Sequence, residues 1–522
     1  MNQRKANNPI NAKRMLKNTG MLYMRHLFIL GINLFTVRLV LNALGAEDFG
    51  IYNVVAGIVL MCSFFCGTMA TSSQRYFSID LGKQDHVHLS QTFTLTLVIY
   101  ALLAILFVVM AESMGLWFVN HKLTIPIARM FAANCIYQTS IVAFLFTLIT
   151  TPFLALVISY EDMQIYAYFS ILEAILKLVI VWLLGLWPDK LIAYGILMAT
   201  ISVVHATLYI YYCVSNYRET HLHWIWNGPL FKEIIVFSSW NLFGTVSNLI
   251  KIQGTNILLN MFYGPLLNAA QSLASQVRTA VSMFSNNFSQ AMRPQISKSY
   301  AIANYQGMFR LVYIGSKMAY FLMLLILIPL FFNIGYILEL WLKNPPPYTI
   351  IFVKLLMIEA LIESLSQPMA SVNQATGRIA LYQFLIGCVV ILNLPVAYGL
   401  LKKGFPVSSI YVAACILMAG VDLIRLIFLK RVDGFSYWAF VRQVFFPVCL
   451  VTLPCFIICK LFSLNHHTLV SCGLDVITKA SITLFLIWEL GFSSQERKKT
   501  ISLLKNYGGT YWYAFRKLAC RN

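Results

Sequence analysis

Apolar runs of bilayer length alternate with short polar connectors from Gly20 almost to the end of the chain. A helix rises about 1.5 Å per residue and the hydrocarbon core of a bilayer is about 30 Å thick, so each run is long enough to cross once. The pattern predicts helices near residues 20–42, 50–72, 91–112, 126–150, 164–186, 190–214, 232–262, 266–290, 309–333, 348–374, 379–400, 407–429, 441–462 and 468–490. These fourteen ranges define an all-α integral membrane protein. No connector exceeds roughly twenty residues, which leaves no room for a soluble catalytic or nucleotide-binding domain. A G-x-x-x-x-G-K-[ST] loop is also missing, so direct drive by ATP is not expected.

The first run, Gly20 to Asn53, carries Arg25 and Arg38 and closes in the connector GAEDFGIY. A weaker copy of it returns near residue 256. At a shift of 218, Leu39-Val40-Leu41-Asn42 falls on Ile257-Leu258-Leu259-Asn260, Ala56 on Ala274 and Arg75 on Arg293. At a shift of 216, Pro152 falls on Pro368 and Tyr166 on Tyr382. The chain therefore reads as two related six-helix lobes, residues 20–214 and 232–430, joined by a linker at 215–231. Two further helices at 441–490 lie outside the repeat, and function is expected where the lobes face each other.

Composition sharpens this reading. With 59% hydrophobic and 11% charged residues the chain has too little polar surface for a soluble globule of 522 residues. The net charge of +20 would suggest nucleic acid in a soluble protein; here the basic residues sit between membrane-length runs, and no nucleic-acid partner is expected. Twenty-three Lys and Arg residues fall in connectors on the side of the N-terminus, against six on the other side: Lys122, Lys190, Lys343, Lys402, Lys403 and Lys460. Basic connectors are retained in the cytoplasm, so the basic N-terminus (1–19) and tail (491–522) are both expected there. The first run is too long for a signal-peptide core and is expected to stay in the mature protein. The 11 cysteines lie mostly inside apolar runs without a C-x-x-C and read as small packing residues.

Charges inside the predicted spans are the candidate chemistry. Lys177 follows Glu173 by four residues, one helical face, which suits either a self-neutralising pair or a relay. Lys251 and Arg278 have no acid within a turn and need a hydrated cavity, an anionic ligand or a carboxylate elsewhere in the bundle; the cavity is the expectation. Arg25 and Arg38 are thirteen positions apart and point to different sides of their helix, with Arg25 the better placed to meet an anion and Arg38 an outer anchor. Arg129, Lys317, Lys354 and Arg425 read as anchors near span ends. Glu359 and Glu363 share a face and suggest a cation or proton site, or partners for a residue such as Lys251. His86, His88, His221 and His223 form H-x-H pairs in connectors and read as solvated.

Leu44-Gly45-Ala46-Glu47-Asp48-Phe49-Gly50-Ile51-Tyr52 after an Arg-bearing first helix resembles the opening of bacterial Wzx-type polysaccharide flippases. Ser159-Tyr160-Glu161-Asp162-Met163 with the following run to Lys177, and Arg293-Pro294-Gln295-Ile296-Ser297-Lys298, are similar to the same family. The resemblance implies the fold of the multidrug/oligosaccharidyl-lipid/polysaccharide (MOP, MATE-like) exporters, two lobes around a V-shaped cavity that opens alternately to each side. It implies a substrate as well: an undecaprenyl-diphosphate-linked oligosaccharide moved across the bacterial inner membrane for O-antigen, capsule or exopolysaccharide. Arg25, Lys251 and Arg278 would then bind the diphosphate, and Glu173, Lys177, Glu359 and Glu363 would serve ion coupling or charge pairing. Asn33, Asn241, Asn248 and Gln253 suit either sugar hydroxyls or helix contacts. Membrane lipids and the polysaccharide polymerase machinery are the implied partners, with no cofactor beyond Na+ or H+ coupling. A cation-coupled drug exporter of the same fold is the alternative, and a membrane glycosyltransferase using Glu47 and Asp48 a more distant one.

Overall fold

The computed structural model describes residues 12–60, 62–122, 125–220, 226–462, 468–494 and 496–498. The side chains of Arg38 and Glu47, and His221 and His223, lie outside this set. The described residues are helical with short connectors and no strand. Helix α1 (Ala12–Leu60) leaves helical geometry at Gly45, where φ is 82°, a left-handed value that glycine reaches without steric cost. The residues after this break form one bent crossing with α2 (Ser63–Lys83), at an angle of 42°. The first lobe continues with α3 (His86–His121), α4 (Ile127–Ser159), α5 (Met163–Leu186) and α6 (Lys190–Asn216). The second lobe comprises α7 (Gly228–Tyr263), α8 (Pro265–Ala301), α9 (Tyr305–Leu342), α10 (Thr349–Ala375), α11 (Ala380–Lys402) and α12 (Ser409–Leu429). Two more helices, α13 (Tyr437–Leu461) and α14 (Leu469–Gly491), follow.

Packing recurs with a shift of six helices. In the first lobe α1 lies on α5, α2 on α4, and α4 on α6; in the second, α7 lies on α11, α8 on α10, and α10 on α12. Helices α13 and α14 dock on α9, where Tyr320 and Thr452 share a hydrogen bond of 3.1 Å and Lys317 donates to Glu496 at 2.7 Å.

Among the described residues nine helices are apolar and long enough to cross a membrane by composition, ten with the bent pair. The first segment of α1, α7, α8 and α10 complete the fourteen predicted crossings, and α7, α8 and α10 carry too many polar or charged residues to pass that test. Their position explains it: α1 and α2 meet α7 and α8 where the lobes touch, and α10 lies against α8. Some of their polar side chains, Asn241, Ser247, Thr255, Gln271 and Ser285 among them, are buried against protein, so the lipid-transfer cost does not apply in full.

Candidate functional site

The lobes are joined from mid-depth to the end that carries the basic connectors, here called the basic end. Tyr23 donates to the Phe284 carbonyl (2.9 Å), Thr68 and Thr245 share a bond (3.0 Å), Asn241 donates to Ser72 (3.2 Å) and Tyr76 to Glu233 (3.2 Å). Among the described residues no hydrogen bond links the lobes in the outer half, where Phe35 and Val54 of α1 and Ile257 and Met261 of α7 are exposed. The hydrogen bonds between the lobes concentrate at mid-depth and at the basic end, so the seam is closed at the basic end.

The cations singled out in the sequence are not loose in this space. Lys251 donates to Glu359, and Arg278 lies 3.0 Å from Glu363 and 3.7 Å from Glu359. From the helix rise all four sit about 15–21 Å from the outer ends of α7, α8 and α10, near mid-membrane. The hydrated cavity expected for Lys251 and Arg278 is therefore corrected to the alternative left open for them, pairing with acids about eighty or more residues away in sequence, with Glu359 the partner of Lys251. The physical reason is the cost of an unpaired charge at that depth, which the ion pairs from α10 to α7 and α8 remove. Arg425, read as an anchor, is likewise interior: it lies 3.8 Å from Asp422, and Ser366 accepts from Arg425 while donating to Asp422.

In the first lobe Glu173 does accept from Lys177, at 2.7 Å, and His205 of α6 approaches the same carboxylate at 3.5 Å. Arg25 stacks 4.2 Å over Tyr166 of α5, within its own lobe rather than across the space between lobes. Arg129 clamps Asp48 of the bent α1 to Asp189 before α6, which gives Asp48 a structural role. His86 and His88 keep solvent-accessible side chains as expected, and each also pairs with a carboxylate, Glu219 at 2.6 Å and Asp80 at 2.9 Å. Asn241 joins helices, accepting from Gln383 at 2.9 Å, and Asn248 bonds its own helix. The ten described cysteines are free.

Two residues assigned to connectors prove to be the unmatched chemistry of the seam. Helices α2 and α8 run on past the bilayer-length segments, so Arg75 and Arg293 are helical and inside the lobe contact. Each stands eight residues before its helix ends. Together they line a pocket with Thr71, Gln74, Ser297, Ser371 and Gln374, with about 10 Å³ of free space, roughly one water molecule. Arg75 donates one bond, to the Ala375 carbonyl at 3.1 Å, and its guanidinium lies 4.5 and 4.6 Å from the rings of Tyr76 and Phe237. Its Nε and Nη1 are buried without a hydrogen-bond partner. Among the described residues neither arginine forms an ion pair; Glu233, the acid on the Arg75 side, is engaged by Tyr76. Gly377, at φ 76°, lies directly against the guanidinium: a Cβ there would stand 2.3 Å from Arg75 Nη2. The signal that could have found this pair is the repeat itself, which lays Arg75 on Arg293.

A family model described as polysaccharide biosynthesis protein matches residues 15–300, more than half of the chain. The chain belongs to this family. A second model, MatE, matches residues 244–399 of the same family member. Among solved structures, a MATE point mutant aligns with a TM-score of 0.69 at 11% identity, covering 82% of this chain and 97% of the other. An outward-facing multidrug resistance MATE transporter of the MOP superfamily gives 0.69 at 10% identity over 81% and 98%. A MOP superfamily transporter from Pyrococcus furiosus, whose binding pocket is described as having reverse polarity, gives 0.66 at 11% over 81% and 98%. No curated protein matches significantly. The fold is that of the MOP superfamily, and the protein is a multi-pass membrane transporter rather than an enzyme.

Proposed function

We propose that this member of the polysaccharide biosynthesis family is a flippase for an anionic lipid-linked oligosaccharide, an undecaprenyl-diphosphate carrier, in the bacterial inner membrane. The observation that supports it is the pair Arg75 and Arg293: repeat-related, from opposite lobes, in one pocket, and without a carboxylate. Guanidinium keeps its charge at any physiological pH and binds phosphate oxygens through a planar fork of donors. Two such groups related by the pseudo-symmetry of the lobes suit the two phosphates of a diphosphate.

The basic end is read as cytoplasmic from the connector charges. With that end open, the arginines meet the headgroup on the side where it is assembled, while the lipid tail stays in the bilayer. Closure shrinks the pocket to the size of one water, too small for a diphosphate, so affinity falls as the outer side opens. A ligand moves a two-state equilibrium only through such a difference in affinity. Lys251 and Arg278, held by Glu359 and Glu363, would support the lobe instead of contacting the headgroup.

A drug exporter coupled to Na+ or H+ is the second reading, favoured by the acids Glu359, Glu363 and Asp422 inside the second lobe. Thermal unfolding of the purified protein separates the two. Inorganic pyrophosphate is expected to stabilise it, with the effect lost in Arg75→Gln and Arg293→Gln. Stabilisation by a lipophilic cation such as tetraphenylphosphonium, and none by pyrophosphate, would overturn the flippase reading.

A further inference from the structure

Closing the basic end does two electrostatically opposed things. It gathers Arg75 and Arg293 around one pocket, which is repulsive. It also inserts Glu161, from the turn between α4 and α5 of the first lobe, against α8 of the second. Glu161 Oε1 accepts from Lys298 Nζ at 2.8 Å, and Oε2 accepts from Gln295 Nε2 at 3.3 Å. The carboxylate-bearing residue is 6% exposed and holds a left-handed backbone, φ 62°. Such a conformation persists in a side-chain-bearing residue when its surroundings over-determine it. Here they do: Asn18 donates to the Glu161 carbonyl at 3.3 Å, and Ser159 donates at 3.1 Å to the carbonyl of Gln74, the neighbour of Arg75.

The helices are also in direct backbone contact at this point, since a Cβ on Gly82 of α2 would stand 2.8 Å from Lys298 Cα. Lys298 is five residues beyond Arg293 on α8. Its bond to Glu161 runs from one lobe to the other, so it breaks whenever this end opens. Breaking it leaves a cation at the mouth of the opening, next to the two arginines.

We infer that Glu161 and Lys298 form a cross-lobe latch that sets the population of the state closed at the basic end, and that opening transfers Lys298 from Glu161 to the arriving anionic headgroup. The second half of this inference rests on the anionic-substrate reading; the first stands on the contacts alone.

Nitroxide labels at Lys83 and Ile302, exposed positions at the ends of α2 and α8, report the distance across the closure. In the full-length protein, Glu161→Gln and Lys298→Gln are each expected to shift the short-to-long distance ratio about ten-fold toward long, and the exchange E161K with K298E to restore the short population. A Glu161→Gln distribution identical to that of the parent, at normal membrane yield, would overturn the latch. In a parallel titration with inorganic pyrophosphate, Glu161→Gln is expected to bind several-fold more tightly than the parent, and Lys298→Gln not to. A distance shift without tighter pyrophosphate binding would overturn the transfer of Lys298. Absence of pyrophosphate binding in every form, with the distance shift intact, would remove the anionic-substrate reading and leave the latch standing.

Discussion

Inside the second lobe three cations, Lys251, Arg278 and Arg425, face three carboxylates, Glu359, Glu363 and Asp422. At the seam, Arg75 and Arg293 form no ion pair among the described residues, and the nearby Glu233 is engaged by Tyr76. All five are cations on helices packed within the bundle, yet their surroundings assign them different work. A charge matched by a rigid partner has its interactions satisfied in the resting protein and contributes to holding α7, α8, α10 and α12 in register. A charge left with unfilled donors, on a surface that must open and close, still has binding capacity to offer. The first lobe stands between these cases, with Glu173 shared by Lys177 and His205.

The contrast is tested most severely at Glu359, which is 2% exposed and serves both Lys251 and Arg278. Glu359→Gln is expected to cost about 3–5 kcal/mol, the usual penalty for stranding one side of a buried pair. The measurement is loss of folded protein in membranes and a lowered unfolding temperature. Arg75→Gln and Arg293→Gln should behave oppositely, with normal membrane amounts and transport reduced ten-fold or more, about 1.4 kcal/mol or above at 25 °C. Transport is measured as outward movement of a lipid-linked saccharide in proteoliposomes, and folded yields falling in parallel with transport would erase the distinction.

A finer test removes both partners of one pair. If Arg278 only neutralises Glu363, the double variant R278M with E363M should retain most transport while Arg278→Met alone loses it; failure of the double variant to recover would give Arg278 a direct role. Smaller still is Gly377→Ala, which forces a strained φ and pushes a methyl into the Arg75 guanidinium. A cost of about 1–2 kcal/mol is expected, read as a few-fold loss of pyrophosphate affinity with the unfolding temperature little changed.

The least pronounced change belongs to Glu496, beyond the end of α14. Burial would raise its carboxyl, but hydrogen bonds from Lys317 and from the Ser493 amide outweigh this and hold it below the usual carboxylate range. A depressed folded-state pKa contributes stability that is present above the unfolded value and lost as pH falls through the folded one. Docking of the segment after α14 on α9 should therefore be indifferent to pH between about 5 and 8 and loosen only below the ordinary carboxylate range near 4. Hydrogen exchange of residues 487–498 measures it, and loosening already at pH 6 would contradict the assignment.

Much of this architecture was legible in the chain. Apolar length fixes the helices because hydrocarbon tolerates no unsatisfied backbone, and a repeat shift near 218 residues announces two lobes. The i, i+4 pair Glu173 and Lys177 was equally local and formed as spaced. Where a side chain's partner lies on another helix, spacing carries no information. Lys251 and Glu359 are 108 positions apart, and Arg278 and Glu363 are 85. A twenty-residue span rule also ends α2 and α8 too early, which placed Arg75, Arg293 and Lys298 in connectors. Membrane crossing, a repeated plan and a basic end all follow from local composition and order, so they can be read along the chain. Which cations are matched and which remain available is a property of the packed bundle. Neutralisation depends on distances of a few ångströms between helices, and no single stretch of sequence contains them.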